Sequence, residues 1–495
     1  MTPPRSLMAL GVLAVAVAAA AAPLAAASFP IAGVDPVREV TALESSALAL
    51  PHWVERGHHG ATLLLVGARA GLLPLGERES AALRARPEAE VLAREGDRGG
   101  AGLYHSGNFS RAAHALGVAR DAVWILPDLP PGGDETVDAF RGRLARTGFP
   151  ETEAASFVAE GRCYRGSAGG MPVLACALED LPEVAGPVLL DVDAASLRAF
   201  GEVRGRLPLS AVRDVLLALG GRRYAVADAV VAYSVEEGAL PIGLRWIGDA
   251  LVALLRDPAP LALAQPPAPW WQLQDAMLRL GGGERHAEFP VLERLLRLHD
   301  VQPNSAALHF LMAQVYLGLD KEENALQTAE DACRIDPGYC FGLEDSGIRM
   351  LERDRPDAAE RFFSAGARLR PGMRYALLDK AIGLARAGQT GAALAALAVH
   401  IERDGPLPGA FVAGALLAGQ GDRAQARRRF DEALAQLALI PGVERVPGFA
   451  AGRPEILVAA AAAAHFYREE GLAAEAERLE RDPRLRPPPA GGEGQ

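Results

Sequence analysis

The sequence predicts a multidomain chain: an N-terminal three-layer α/β domain with a mostly parallel sheet, followed by an all-α solenoid of helical hairpins. Three observations predict it. At 495 residues the chain exceeds what a single core organises. Between residues 35 and 257, short β-rich apolar runs alternate with amphipathic segments, the pattern of strands buried on both faces of a parallel sheet. Further on, Pro303, Pro337 and Pro371 recur 34 residues apart, each closing an amphipathic segment, and a fixed period of that size marks stacked helical hairpins.

The chain opens with Arg5, an apolar run from Leu7 to Ala22, Pro23 and then Ala25-Ala26-Ala27. That order of charge, apolar stretch and small residues is a secretory signal, with cleavage expected after Ala27; an uncleaved anchor is the competing reading, disfavoured because the run is short for a bilayer span. The domain plan is therefore a signal peptide over 1–27, the α/β domain over 35–257, a linker over 258–269, repeats over 270–485 and a flexible tail over 486–495. An exported, periplasmic protein is the expectation, with no transmembrane span in the mature chain.

In the α/β region, strands are expected at Thr62–Val66, Leu103–Tyr104, Val123–Leu126, Val173–Ala177, Val188–Val192 and Val226–Tyr233. Helices are expected at Phe109–Leu116, Val137–Arg146 and Leu209–Leu219. Five prolines between Pro258 and Pro269 read as the linker. Trp270–Leu280 and Ala287–Leu298 form a degenerate leading hairpin. Aligned on their prolines, the next units place small and large residues in register: Ala313, Tyr316, Ala325 and Ala332; then Gly347, Met350, Ala359, Phe363 and Gly366; then Ala381, Leu384, Ala393 and Leu397. A fourth unit holds Gly414, Leu417, Ala426, Phe430 and Ala433, and a fifth, beyond a loop from Pro441 to Pro454, holds Ala464, Tyr467, Gly471 and Ala476. Small residues let two helices approach, large ones fill the next gap, and each proline stops a helix because it lacks the amide donor.

This period and register resemble the tetratricopeptide repeat. The resemblance implies that the first helix of each hairpin lines a concave face. On it, Phe310, Gln314 and Leu317, then Phe341, Glu344 and Ile348, then Tyr375, Leu378 and Ile382, would hold a protein or peptide ligand in apolar pockets. The alternative is that these side chains pack against the chain's own domains.

Three stretches of the first half resemble a bacterial family related to the arginase/deacetylase fold. They are Gly107-Asn108-Phe109 with Gly117-Val118 and Val123-Trp124-Ile125-Leu126-Pro127-Asp128; Gly186-Pro187-Val188-Leu189-Leu190-Asp191-Val192-Asp193; and Val231-Ala232-Tyr233-Ser234 with Leu244-Arg245-Trp246-Ile247-Gly248. Where that family carries metal ligands on its first strand, this chain reads Leu65-Val66-Gly67-Ala68-Arg69-Ala70-Gly71-Leu72, so the ligands implied by the resemblance are gone. Arg69 would set a fixed cation where a metal would sit. Asp191 and Asp193 remain, and two carboxylates fall short of the three or four ligands a transition metal wants. An ion pair from one of them to Arg69 is expected, in a vestigial cleft with no metal and no cofactor.

Composition narrows the rest. Half the residues are hydrophobic, and 51 basic against 62 acidic residues give a net charge of −11, so the concentrated basic footprint that nucleic acid requires is missing. The one basic cluster, Arg427-Arg428-Arg429, stands among Asp422, Asp431 and Glu432 and reads as a solvated helix face. His52, His58 and His59 read as surface residues ahead of the first strand. Of the four cysteines, Cys163 and Cys176 could pair across a hairpin or remain buried thiols, whereas Cys333 and Cys340 are expected to stay unpaired. The leading expectation is a non-catalytic α/β domain fused to a protein-binding scaffold. The alternative is a metal-dependent amidohydrolase or deacetylase using Asp191, Asp193 and the histidines between His52 and His59.

Overall fold

The computed structural model describes residues 37–485 except 38, 69, 98–101, 128, 130–134, 204, 236–238, 263–267, 282–287, 372–375, 440–453 and 483–484. The expected signal segment, the C-terminal tail, Arg69, Tyr375, much of the proline-rich linker and the loop before Pro454 lie outside the described residues.

Eight strands form one sheet: β1 (Val40–Leu43), β2 (Ala61–Val66), β3 (Ala119–Ile125), β4 (Val158–Glu160), β5 (Cys163–Ala168), β6 (Met171–Cys176), β7 (Pro187–Asp193) and β8 (Ala225–Ala232). Their order is β1-β8-β7-β2-β3-β6-β5-β4. The first six in that order run parallel, and β5 and β4 close one edge antiparallel. All six side chains of β2 are buried, which is why its sequence is an unbroken apolar run rather than an alternation. The expected Leu103–Tyr104 strand is instead irregular chain; Tyr104 is buried there, and its hydroxyl finds a partner in the Leu92 carbonyl at 2.9 Å.

Helices cover both faces. α1 (Ala49–Glu55), α2 (Glu77–Ala85), α3 (Ala89–Asp97), α4 (Phe109–Ala115), α5 (Val137–Arg146) and the single turn α6 (Glu151–Ala154) belong to one side, where Trp53, Phe109 and Phe140 pack on Leu63, Leu65 and Leu189. On the other, α7 (Ala194–Val203), α8 (Pro208–Gly221) and α9 (Trp246–Arg256) pack Phe200, Val215 and Leu251 on Leu64, Leu190 and Val231. This is the three-layer arrangement expected.

Twelve helices follow in pairs: α10 (Ala268–Gly281) with α11 (Glu288–Val301), α12 (Ala306–Gly318) with α13 (Glu322–Ile335), α14 (Phe341–Glu352) with α15 (Pro356–Leu369), α16 (Ala376–Arg386) with α17 (Thr390–Asp404), α18 (Gly409–Gly419) with α19 (Arg423–Leu439), and α20 (Pro454–Glu469) with α21 (Ala473–Arg481). The leading hairpin and the five units fall where the period put them. The small positions are demanded by contact: a Cβ on Gly347 would stand 2.8 Å from the Phe363 ring, and one on Gly414 would stand 2.4 Å from the Phe430 ring. The same glycine–phenylalanine device thus recurs at the same interval two units apart. Arg427, Arg428 and Arg429 pair with Asp431 and Glu432 along α19, a solvated face as expected.

Two disulfides are formed. Cys163–Cys176 bridges the neighbouring strands β5 and β6, with Cα atoms 4.6 Å apart. Cys333–Cys340 is also bonded, with Cα atoms 4.4 Å apart, against the expectation of free thiols. The reason is the turn at Pro337–Cys340, which folds the chain back over the end of α13. The bridge closes a loop carrying Asp336 and Tyr339. Replacing both of these cysteines by alanine is expected to cost about 2.5 kcal/mol from the entropy of so short a loop, read as a lowered denaturant midpoint; an unchanged midpoint would show that the turn holds itself.

The proline-rich stretch does not separate two cores. Leu261 within it is buried, and one continuous hydrophobic core runs from the α7–α9 layer through α10–α15. A separate core, distinct from this one and from that under α1–α6, begins at Leu378, Ala381 and Ile382 of α16 and continues to Leu485.

Candidate functional site

The strand order defines a crevice. From β2 the chain moves one way, to β3; from β7 it moves the other way, to β8. Open parallel sheets place ligand crevices at the carboxyl ends of the strands where the order reverses, here between β2 and β7. Asp191 stands opposite Leu65 in that register, and Asp191 and Asp193 share the face covered by α1, as their parity with Leu189 shows. Both are buried. The Ser46 hydroxyl donates to the two Asp191 oxygens, at 3.2 and 3.0 Å. The Ser196 hydroxyl reaches Asp193 Oδ2 at 3.4 Å and accepts the Ala68 amide at 2.9 Å. Burial pushes the Asp191 carboxyl up to about 7, opposed by the Ser46 hydrogen bond and reinforced by the Asp193 charge. Ordinary hydrogen bonds from Ser46 and Ser196 thus engage both carboxylates and tie the end of β2 to α7.

The histidines do not join it. His52 Nε2 lies 2.9 Å and His58 Nε2 3.2 Å from Oδ2 of the fully buried Asp228, which stands beside Leu189, two positions before Asp191. These two are half-buried partners of a core carboxylate rather than surface residues. The pairing spans 176 and 170 positions of sequence, which is why local reading missed it.

A third constellation joins the domains. Arg245 precedes α9 and is buried. Its guanidinium pairs with Glu44 at 2.7 Å and with Asp336 at 3.3 Å, and lies 3.8 Å over the Tyr233 ring. Burial alone would lower its proton affinity; the Glu44 and Asp336 charges outweigh that and hold it above the usual guanidinium range. Alongside it, Asp249 accepts from the Tyr233 hydroxyl at 2.6 Å and the Tyr339 hydroxyl at 2.7 Å, one tyrosine from each domain. Burial raises the Asp249 carboxyl, and both hydroxyls oppose the shift. The fit is close: a Cβ on Gly338 would stand 2.0 Å from Arg245 Nη2. An arginine in the apolar run Leu244-Arg245-Trp246 was the available signal for this node.

The described residues expected to line the concave face are largely buried. Phe310, Leu317, Phe341, Glu344, Leu378 and Ile382 are buried, and Gln314 and Ile348 partly so. Phe310 packs on Gly342, within 5.9 Å of the Tyr339 ring, and near Gly243 of the α/β domain. Gln314 donates to the Ser346 hydroxyl at 3.4 Å. α12 is apolar nearly all round, as a helix enclosed on every side must be. Phe310 therefore packs toward the α/β domain, while Leu378 and Ile382 belong to the core of the distal hairpins.

An open groove lies elsewhere. Between α15 and α17, about 520 Å³ is lined by Ala359, Phe363, Leu384, Ala392, Ala395, Ala396 and Val399, with Glu360 and Lys380 at its edge. Lys380 pairs with Glu360 at 2.8 Å and lies 5.4 Å over the Phe363 ring.

No family model matches the chain, and no curated protein matches it. Among solved structures, PilW, a widely conserved type IV pilus biogenesis factor, aligns at 18% identity over 44% of this chain and 92% of that one, with a TM-score of 0.26. Yeast Tom70 aligns at 16% over 59% of this chain and 49% of its own, with a TM-score of 0.31. The human IFIT1 dimer with PPP-AAAA aligns at 12% over 58% and 66%, with a TM-score of 0.27. Superpositions this loose carry no argument about function; the helical-repeat architecture stands on the hairpins themselves. No helix among the described residues is long and apolar enough to cross a membrane.

Proposed function

We propose that the chain is a protein-interaction scaffold acting outside the cytoplasm, with a non-catalytic α/β domain that anchors the repeats. The observation that carries it is the open, mostly apolar groove between α15 and α17. Its alanine and valine lining offers area for a partner's apolar side chains, and Glu360 and Lys380 supply a polar rim, the usual anatomy of a protein contact. Two formed disulfides agree with an oxidising compartment, as does the N-terminal signal pattern. For the α/β domain, the descent from an arginase/deacetylase-like fold rests on the three sequence stretches. A metal-dependent hydrolase would need the histidines beside Asp191 and Asp193, whereas His52 and His58 engage Asp228.

Affinity capture from an envelope fraction tests the proposal. Wild type is expected to retain a specific protein that Ala395→Arg, which fills and charges the groove from an exposed helix face, loses by 10-fold or more. Equal retention by a folded Ala395→Arg chain sinks the groove, and no retained protein at all sinks the scaffold.

A further inference from the structure

We infer that the chain forms a two-fold symmetric dimer through the outer face of α11. Among the described residues, ten large apolar side chains stand most exposed, and five of them, Trp271, Leu278, Phe289, Leu296 and Val301, lie on the α10–α11 hairpin. So dense a concentration on one element marks a covered surface rather than scatter.

The occupant follows from the order of residues along α11. Phe289, Glu293, Arg297 and Val301 are spaced by four, so they form one ridge of the helix, about 18 Å long. Phe289 is 67% and Val301 76% exposed, and the Glu293 and Arg297 side chains between them are each 70% exposed. Read in either direction the ridge runs apolar, charged, charged, apolar, with the charges of opposite sign. A two-fold axis passing between Glu293 and Arg297 therefore sets Phe289 against Val301 of a second copy and Glu293 against its Arg297, twice over. The ridge is thus complementary to itself, and self-complementarity of one patch is what an isologous interface requires. In isolation Glu293 and Arg297 pair along their own helix at 2.6 Å, a contact worth little in water, so exchanging it for two contacts across the axis costs little. Asp275 of α10 reaches Arg294 at 2.6 Å, which brings the helix bearing Trp271 and Leu278 alongside and widens the face. Two helices of this length present a face of about 21 by 20 Å, at the small and weak end of specific interfaces.

Sedimentation velocity of the full chain between 1 and 100 µM is the test. Wild type is expected to shift from monomer to dimer within that range. Glu293→Arg, which sets like charges across the axis, is expected to weaken association at least 10-fold, as is Arg297→Glu. The double variant Glu293→Arg with Arg297→Glu keeps the palindrome and is expected to recover the wild-type association. That recovery separates the interface from a folding defect. A wild type that stays monomeric at 100 µM overturns the inference. So does a dimer indifferent to the single substitutions, or a double variant no better than the singles.

Discussion

Arg245→Ala is expected to destabilise the chain by about 3 kcal/mol. Removing one member of a buried charged set strands its partners, and that costs roughly 3–5 kcal/mol; the lower figure applies because Asp336 is one-third exposed and Glu44 retains some water. The loss also removes the stack on Tyr233. Since a chain with several cores need not unfold in one step, the readout is the tryptophan fluorescence transition, to which Trp246, next in sequence and part of the joined core, contributes. Arg245→Lys keeps the charge and loses the planar fork, so it is expected to recover less than half the loss. A shift under 1 kcal/mol for Arg245→Ala would mean that apolar packing alone joins the two domains.

Asp191→Asn is expected to stabilise the protein, and only above mildly acidic pH. The Asp191 carboxyl moves from an ordinary value of 3.8 to about 7 on folding. A raised folded value means the native state holds its proton more tightly than the unfolded chain does. The stability this gives is complete below pH about 4 and is lost as pH climbs through 7. The difference of about three pH units corresponds to roughly 4 kcal/mol as an upper figure. Asparagine does not titrate and still accepts from Ser46, so the gap between variant and wild type should open between pH 4 and 7 and level off beyond 8. Urea midpoints measured across that range decide it. A gap that does not change with pH would show that Asp191 does not titrate on folding.

Much of the architecture could be read from residues because its causes are local. A proline every 34 residues stops helices wherever it falls, and the glycine opposite Phe363 or Phe430 has to be small whatever surrounds the hairpin. Strands β2, β3, β6, β7 and β8 announced themselves as apolar runs, since burial on both faces leaves no room for polar alternation. What stayed illegible depends on distant partners. β4 is exposed at all three residues, Val158, Ala159 and Glu160, and is too short to show a pattern. His52 and His58 look solvated until Asp228 arrives from β8. Phe310 and Phe341 have the character of groove residues, and only the position of the α/β domain turns them into interior. The Cys333–Cys340 bridge depends on the turn at Pro337–Cys340, which the spacing of the two cysteines does not reveal.

Within α16 the side chains divide, with Leu378, Ala381 and Ile382 in the distal core and Leu384 in the proximal one. Mechanically, the distal and proximal cores meet in that helix. A bending load applied at the last hairpin concentrates its strain there, rather than at the prolines near residue 260. The groove between α15 and α17 spans that same joint, so a partner seated in it would splint the joint and set the angle at which the last three hairpins are carried.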